Sequence, residues 1–214
     1  MEDSNKKPVG IYKYKSCNLF SLTNALDLIS EKYFVSEDFS ELTHLKKIIL
    51  PGIGNMTSFN KSNSKEITSK KIKTYTENGG MVYGICLGLQ LLLDFSEEAN
   101  ANTLGVIKGK SILLKKEFDI NLNVGFHKLD FTNKKLKNNL IKNLFKEIDE
   151  NARFYFLHKY YCKIEDKGIQ TINAKISGKS LPSLLMKENI LGTQFHPELS
   201  KKNGLKFLSN FCNY

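Results

Sequence analysis

The sequence contains no tryptophan and only one arginine, Arg153, so lysine carries almost all of its formal net charge of +10. Arginine is the residue on which bidentate recognition of phosphate and guanine mainly depends. The lysines are spread along the whole chain, without a dense basic run. A solvated lysine-rich surface is therefore favoured over a nucleic-acid patch, and we expect no nucleic-acid partner.

Long apolar runs and closely spaced cysteines are also missing. No run of 18 or more apolar residues occurs, so we expect no membrane span. The polar first eight residues have no apolar segment of the kind that a secretory signal needs. The four cysteines, Cys17, Cys86, Cys162 and Cys212, are widely scattered with no C-x-x-C spacing. That spacing argues against a zinc site or a disulfide framework and predicts a reducing, cytoplasmic location.

The chain has 214 residues, and we expect a single domain over residues 9–214 after a polar N-terminal extension of residues 1–8. Over the first half, apolar patterning predicts strands that alternate with helices, with strands at 9–14, 33–35, 48–50 and 81–85 and helices at 21–32 and 65–78. Strand signals then dominate, at 104–114, 154–161, 170–176, 183–187 and 190–195, with helices within 133–151 and at 203–213. This order predicts an α/β fold with a central, mostly parallel sheet flanked by helices and a C-terminal antiparallel extension.

The stretch from Met81 to Leu93 begins as an apolar strand and continues as a helix-forming run of leucines. Cys86 lies at the junction, with Gly84 and Gly88 two residues to either side, which is the cysteine version of the nucleophile elbow G-x-C-x-G. The glycines permit a strained strand-to-helix turn, and a helix start favours the thiolate. The plain structural alternative is a buried cysteine between two packing glycines.

Residues 196–198, His-Pro-Glu, offer a base and an orienting acid for such a cysteine. At a strand end, His196 and Glu198 would point to the same face, because they are two residues apart. Pro197 cannot donate to a sheet ladder, which indicates a strand end or edge. In isolation the tripeptide equally describes a turn with a salt bridge. Together with the elbow it predicts a triad of Cys86, His196 and Glu198.

Residues 51–54, Pro-Gly-Ile-Gly, follow a continuous apolar strand. Two glycines around one residue make a loop that can change its peptide orientation at low cost. An ordinary tight turn is the alternative, and it is the interpretation favoured for this loop considered alone.

Residues 84–92 (Gly-Ile-Cys-Leu-Gly-Leu-Gln-Leu-Leu) and 192–198 (Gly-Thr-Gln-Phe-His-Pro-Glu) resemble the two signatures of the class I, or triad, glutamine amidotransferases. Within that class the sequence is most similar to the glutaminase subunits of imidazole glycerol phosphate synthases, from about residue 9 to the C-terminus. The other segments that carry this similarity are 17–19, 49–54, 96–98, 155–161, 199–200 and 204–211.

The resemblance implies that Cys86 attacks the carboxamide of L-glutamine, while His196, oriented by Glu198, acts first as base and then as acid. Backbone N–H groups would stabilise the oxyanion. The residues implied in this oxyanion hole are Leu87, Gly52, Ile53 and Gly54. Those implied in glutamine binding are Gly88, Gln90, Glu98, His158, Lys159 and Tyr160, the last three through their backbone.

The resemblance implies neither a metal nor an organic cofactor. It implies that the ammonia passes to a separate cyclase-type barrel synthase subunit in a heterodimer of histidine biosynthesis, and that the docked partner switches the glutaminase on. No phosphosugar-binding barrel or nucleotide-binding motif is present in the sequence, so the acceptor chemistry is expected on another chain.

Two segments depart from the family pattern. Tyr-Lys-Tyr at 12–14 stands where the family has a strand ending in Asp-Tyr-Gly, and Gly-Phe-His at 125–127 stands where it has Gly-Trp-Asn, at the face towards the cyclase. A paralogous subunit that supplies ammonia for amidino groups on surface sugars is therefore an alternative. A catalytically silent binding module and a Cys–His hydrolase of another substrate are further alternatives. Gln90 and the loop at 52–54 favour glutamine.

Overall fold

The structure is a computed structural model that describes residues 7–15, 17–54, 56–60, 65–132 and 139–214. The strands in these residues are β1 Val9–Tyr12, β2 Tyr33–Ser36, β3 Lys47–Leu50, β4 Met81–Ile85, β5 Phe95–Ser96, β6 Ala101–Asn102, β7 Gly109–Leu113, β8 Asn123–Asp130, β9 Arg153–His158, β10 Tyr160–Ile164, β11 Gln170–Ile176, β12 Lys179–Lys187 and β13 Ile190–Thr193. The helices are α1 Phe20–Leu28, α2 Phe39–Leu42, α3 Met56–Asn60, α4 Lys65–Glu77, α5 Leu87–Leu91, α6 Leu114–Phe118, α7 Asn139–Leu144 and α8 Lys201–Asn213, and a 3-10 turn covers Pro197–Leu199. None of the helices in these ranges is long and apolar enough to cross a membrane.

Across the described ranges, nine strands form the central sheet in the order β2-β1-β3-β4-β13-β12-β11-β8-β9. The strands from β2 to β13 in that order run parallel. The pairs from β13 to β9 are antiparallel. A smaller sheet has the order β10-β7-β5-β6. The predicted α/β class is confirmed, with a central, partly parallel sheet and an antiparallel extension.

Strand β4 lies inside the parallel half, and its alternate side chains fill two cores. Tyr83 and Ile85 belong to the core that contains buried residues of α1 and α8. Val82 belongs to the core that contains buried residues of α4 and α5. Because both faces are covered, the strand is apolar throughout. Strands β3 and β13 run parallel to β4 on its two sides, so the carboxyl ends of all three strands lie at the same edge of the sheet. Ligand sites of α/β folds lie at this edge.

Several predicted elements are present with shifted ends. The helix predicted at 21–32 is α1, which ends at Leu28 because Ser30 takes a left-handed conformation with φ 54°. The strand predicted at 9–14 ends at Tyr12, and the one predicted at 190–195 ends at Thr193. In the region 104–114 only Gly109–Leu113 is a strand. The backbone N–H groups of residues 104–107 instead donate to the carbonyls of residues 91–93, which end helix α5.

Other parts of the fold were not predicted, or lie partly outside the described residues. Strand β8 is missing from the prediction because its burial does not alternate regularly, and α6 is only five residues long. The lysine-rich helix expected within 133–151 is α7, while residues 133–138 lie outside the described part. Residues 1–6 of the expected N-terminal extension also lie outside it. Of the predicted apolar stripe, Leu140 and Leu144 are buried and Ile148 is half-buried.

Candidate active site

Cys86 lies between β4 and α5 in a strained backbone conformation, with φ 42° and ψ −97°. A positive φ is unusual for a residue with a side chain and is a form of strain that accumulates at functional sites. The turn is held because Cys86 N–H donates to Thr193 O at 2.6 Å. An added Cβ at Gly88 would overlap the carbonyl group of Leu50, so only glycine allows α5 to lie this close to β3. The predicted strand-to-helix turn is confirmed.

His196 and Glu198 form a buried pair at the same edge of the sheet. The His196 Nδ1–H group donates to Glu198 Oε1 at 2.8 Å, and both side chains are 2% exposed. His196 itself is extended, with φ −100° and ψ 97°, but Pro197 begins the 3-10 turn. The carboxylate therefore reaches the ring through a turn and not along a strand edge, which corrects the predicted geometry. Glu198 Oε2 has no hydrogen-bond partner within the described part of the chain.

The charges around His196 favour its protonated form. Burial by itself lowers the pKa of His196, but the charge of Cys86 and a hydrogen bond to it, with the bond to and charge of Glu198, hold that pKa well above 6.5. Since Nδ1 is bonded to Glu198, the other ring nitrogen, Nε2, is the one that meets Cys86. The thiol also donates to Leu157 O at 3.8 Å. The sulfur of Cys86 and the carboxylate of Glu198 thus both favour the imidazolium form of His196.

The loop at residues 51–54 lies against the histidine ring. An added Cβ at Gly52 would lie 3.0 Å from His196 Cε1 and 2.8 Å from Ile85 Cγ2, so the backbone of the loop comes as close to the ring as glycine permits. The hydroxyl of Tyr14 donates to Pro51 O at 2.7 Å. Ile53 O accepts from the N–H of Asn18 at 2.7 Å. Two carbonyls of the loop are therefore held, on either side of the Gly52–Ile53 peptide.

His158 and Gln90, two predicted glutamine-binding residues, converge on one carbonyl. Tyr160 O accepts from His158 Nδ1–H at 2.7 Å and from Gln90 Nε2 at 3.1 Å. His158 Nε2 accepts from Asn123 Nδ2 at 2.9 Å. Burial lowers the pKa of His158 from 6.5 to about 4. The structure thus brings these residues together but uses the Tyr160 carbonyl within the protein.

The remaining predicted residues lie around this centre. The Glu98 carboxylate accepts from the N–H of Met56, which begins α3, and faces the charge of Lys159, while burial raises its pKa. Lys159 O accepts from Leu114 N–H at 2.9 Å. Leu87 is the first residue of α5, where an N–H is not used by the helix itself. Gly54 is exposed. Roles for these residues in glutamine binding or in the oxyanion hole stay predictions.

The sequence analysis missed two residues that contact the cysteine network. Gln194 Nε2 donates to Cys86 Sγ at 3.5 Å, and Cys162 Sγ donates to Gln194 Oε1 at 3.6 Å. Gln194 was inside a recognised motif, and its spacing of two residues from His196 was a usable signal. Cys162 gave no such signal. Among the described residues, no three His, Cys, Asp or Glu side chains are grouped so that they could hold a metal ion.

Comparison with known proteins gives consistent results over nearly the whole chain. The family described as glutamine amidotransferase class-I matches residues 18–213. Imidazole glycerol phosphate synthase subunit HisH of Chlorobaculum tepidum is 30% identical over 207 residues, which is 96% of this chain and 100% of that protein. The subunit of the same name from Chlorobium chlorochromatii is 31% identical over 95% of this chain and 98% of its own length. A solved structure described as PurLQS from Thermotoga maritima shares the fold, with a TM-score of 0.70 at 18% identity, and the match covers 97% of this chain and 99% of that one.

Proposed function

The chain belongs to the class-I glutamine amidotransferase family, and we propose that within it the protein is a glutaminase subunit that hydrolyses L-glutamine to glutamate and ammonia. The observation that carries the proposal is the meeting of Cys86 with His196, whose ring is in turn held by Glu198. A nucleophile, a base and an orienting acid in contact are what acyl transfer through a thioester needs.

The reaction follows from this arrangement. The Cys86 thiolate attacks the carboxamide carbon, and the oxyanion that forms is stabilised by the Leu87 N–H and by an N–H of the loop at 52–54. The His196 imidazolium gives its proton to the leaving ammonia as the C–N bond breaks. Neutral His196 then takes a proton from water, which hydrolyses the thioester and releases glutamate. Glu198 keeps Nδ1 protonated, so that Nε2 exchanges the proton.

We propose that the ammonia passes to a separate barrel-type synthase subunit of the cyclase kind, with which the chain forms a heterodimer in the cytoplasm. The support is the similarity to subunits named for imidazole glycerol phosphate synthase, which implies histidine biosynthesis. None of the four cysteines forms a disulfide within the described part of the chain, which suits a reducing compartment. Phe126 borders two surface clefts of about 760 and 600 Å³, and with His127 it would lie at the docking face.

A second candidate is a paralogous subunit that supplies ammonia for amidino-sugar formation. The observation in its favour is the Phe126–His127 pair at the expected docking face. His127 Nε2 is buried without a hydrogen-bond partner in the described residues. Assaying glutamine hydrolysis with the cyclase and with a sugar amidotransferase synthase, in separate complexes, separates the two candidates.

The covalent step is tested by treating the full chain, in complex with its synthase, with a chloroketone analogue of glutamine. Peptide mass mapping should show the label on Cys86, and glutamine hydrolysis should stop. Cys86→Ala and His196→Ala should each remove nearly all turnover, while Cys212→Ala, at a half-buried cysteine in α8, should keep it. A label on another cysteine would refute the assignment, and a complex with neither label nor hydrolysis would indicate a silent binding module.

A further inference from the structure

We propose that Gln194 is a positioning residue for the nucleophile: its side-chain amide donates to Cys86 Sγ and holds the thiolate towards His196, and Cys162 fixes which way the amide faces. The proposal rests on the proposed role of Cys86 as the nucleophile.

The amide of Gln194 lies between two sulfur atoms. Nε2 is 3.5 Å from Cys86 Sγ, and Oε1 is 3.6 Å from Cys162 Sγ, both within the longer range of hydrogen bonds to sulfur. Gln194 is 1% exposed and Cys162 is fully buried. Each sulfur is thus the partner that satisfies one end of the buried amide.

Cys162 decides the orientation of the amide. Burial raises the pKa of Cys162 far above its ordinary value, so this residue stays a neutral thiol that can donate its S–H. The acceptor Oε1 then faces Cys162, and the N–H groups of Nε2 face Cys86. The flipped amide would point its oxygen at a thiolate, which is repulsive, and would leave the S–H of Cys162 facing another donor.

Backbone contacts hold the donor in place before the reaction begins. The N–H of Gln194 donates to Ser183 O in β12 at 2.8 Å. The N–H of Cys86 donates to the carbonyl of Thr193, the residue before Gln194. Gln194 and His196 both lie on the short segment between β13 and the 3-10 turn, so this one segment brings both the base and the N–H donor to the sulfur. The amide thus needs no reorganisation when the thiol ionises.

An N–H donor at this position favours the thiolate, because a hydrogen bond to a charged acceptor is stronger than one to a neutral acceptor. The other titratable groups that face Cys86 are His196, Cys162 on β10 and Tyr14 after β1. Burial keeps both Cys162 and Tyr14 neutral, since it raises the pKa of each. Among the described groups around the sulfur, Gln194 and His196 thus stabilise negative charge, whereas the Leu157 carbonyl accepts from the neutral thiol.

The test is the pH dependence of alkylation of Cys86 by iodoacetamide in the full chain, followed by peptide mass mapping. Gln194→Met keeps the length of the side chain but removes the donor. We expect the alkylation midpoint to rise by about one pH unit, with roughly tenfold slower alkylation below it. In the synthase complex, kcat for glutamine should fall and KM should change little. Cys17 serves as an internal reference, because its pKa is raised to about 11 by burial.

Cys162→Ser and Cys162→Ala are the matched pair for the orientation of the amide. Both variants shorten the side chain at the same buried site, but only serine keeps a donor for Oε1. The serine variant should keep the alkylation midpoint of the wild type, and the alanine variant should shift upward. The same midpoint in Gln194→Met and wild type would overturn the proposal. If Gln194→Met does not fold, equal midpoints in the serine and alanine variants would overturn it.

Alkylation requires no glutamine, so this test is independent of the proposed enzymatic activity. A shifted midpoint in a complex that hydrolyses no glutamine would refute the glutaminase and leave the role of Gln194 intact. Glutamine hydrolysis by the complex, together with an unshifted midpoint in Gln194→Met, would refute the role of Gln194 and leave the glutaminase intact.

Discussion

His158 is a buried imidazole whose two ring nitrogens are both engaged inside the protein. Nδ1 must carry the proton, because it donates to the Tyr160 carbonyl, and Nε2 must be unprotonated, because it accepts from the Asn123 amide. Protonation of Nε2 would place two donors against each other in a site without access to water. The hydrogen bonds and the burial therefore both favour the neutral ring.

Because the His158 ring is neutral when folded, the stability of the fold decreases in acid. The unfolded imidazole binds its proton at about pH 6.5 and the folded one only at about pH 4, so the unfolded state carries more protons between these values, and stability falls as the pH falls through that window. We expect a loss of about 2 kcal/mol between pH 7 and pH 5 from this group. The raised pKa of His196 acts above pH 6.5, where it makes stability rise as the pH falls, so it offsets part of this loss near pH 7 in the wild type and the variants alike.

Thermal unfolding at pH 7 and pH 5 measures this effect. His158→Gln, which can still donate to Tyr160 and accept from Asn123, should lose less of its melting temperature between the two pH values than the wild type. His44→Gln, at an exposed histidine, is the matched control and should keep the wild-type difference. Equal differences in all three proteins would contradict the assignment to His158.

At this scale the sequence was informative for the residues of the elbow and of the His-Pro-Glu tripeptide. Cys86 with its flanking glycines, and His196 with Glu198, could be singled out from spacing, and the structure places them together. The contact between Gln194 and Cys86 joins residues 108 positions apart, and Cys162 reaches Gln194 from a different sheet. Long-range pairings of this kind depend on strand order, which spacing within one segment does not contain.

Among the secondary-structure elements, helix α8 has a direct bearing on the position of the base. Gly204 lies where an added Cβ would overlap Pro197 O and lie 2.6 Å from Ser200 Cβ. The Ser200 hydroxyl donates to His196 O at 2.5 Å, and the N–H of Tyr155 donates to that hydroxyl at 2.8 Å. The helix therefore rests on the turn that carries Glu198, and glycine is what permits this close contact.

We expect Gly204→Ala to push the 3-10 turn away from α8. Overpacking of this kind costs about 1–3 kcal/mol, so the melting temperature should fall by about 5 °C. Glutamine hydrolysis should fall further than stability alone explains, because Glu198 and His196 move with the turn. The matched control is Gly168→Ala in the exposed loop between β10 and β11, where the nearest atom to an added Cβ, Asp166 Oδ1, is 3.4 Å away. A Gly204→Ala variant with wild-type hydrolysis and stability would contradict this packing argument.

The elements themselves were predictable to different degrees for physical reasons. Strands covered on both faces, such as β3 and β4, are continuous apolar runs and were found. Strand β8 was missed because Val124 is exposed and the next three residues are all half-buried, so burial does not alternate along the strand. The turn at Pro197 was misplaced because a strand end and a 3-10 turn both suit a proline.

At the scale of the whole molecule, an exposed apolar surface lies beside the candidate site. Val124 on β8 and Leu157 on β9 are opposite each other in the antiparallel register, and they are 53% and 43% exposed. The carbonyl of Leu157 accepts from Cys86 Sγ, so this surface is one residue away from the nucleophile. An apolar surface beside the site suits the docking of the proposed synthase subunit.

The loop at 51–54 gives such docking a way to control the chemistry. The carbonyls of Pro51 and Ile53 are held by Tyr14 and Asn18, and Ile53 pairs with Asn18 in an isolated antiparallel bridge. Rotation of the Gly52–Ile53 peptide between the two held carbonyls would therefore also release the Ile53 N–H from Asn18. Rotation would aim the N–H of Ile53 at the oxyanion or away from it. One such donor typically changes the rate by ~10²–10³-fold. In the proposed complex, such gating would prevent release of ammonia without an acceptor.

We therefore expect the isolated chain to hydrolyse glutamine about a hundredfold more slowly than the complex with its synthase and bound acceptor. Hydrolysis is measured for the chain alone, with the synthase, and with synthase plus acceptor. Val124→Glu should weaken binding of the synthase and reduce the activation, because it places a charge on the docking surface, while leaving the slow basal rate unchanged. Ile67→Glu, at a residue of α4 that is 58% exposed, is the matched control and should bind and respond like the wild type. Full activity of the chain alone, unchanged by a synthase that demonstrably binds, would refute the gating. Equal binding of the synthase by the Val124 and Ile67 variants would show that Val124 is not part of the docking surface.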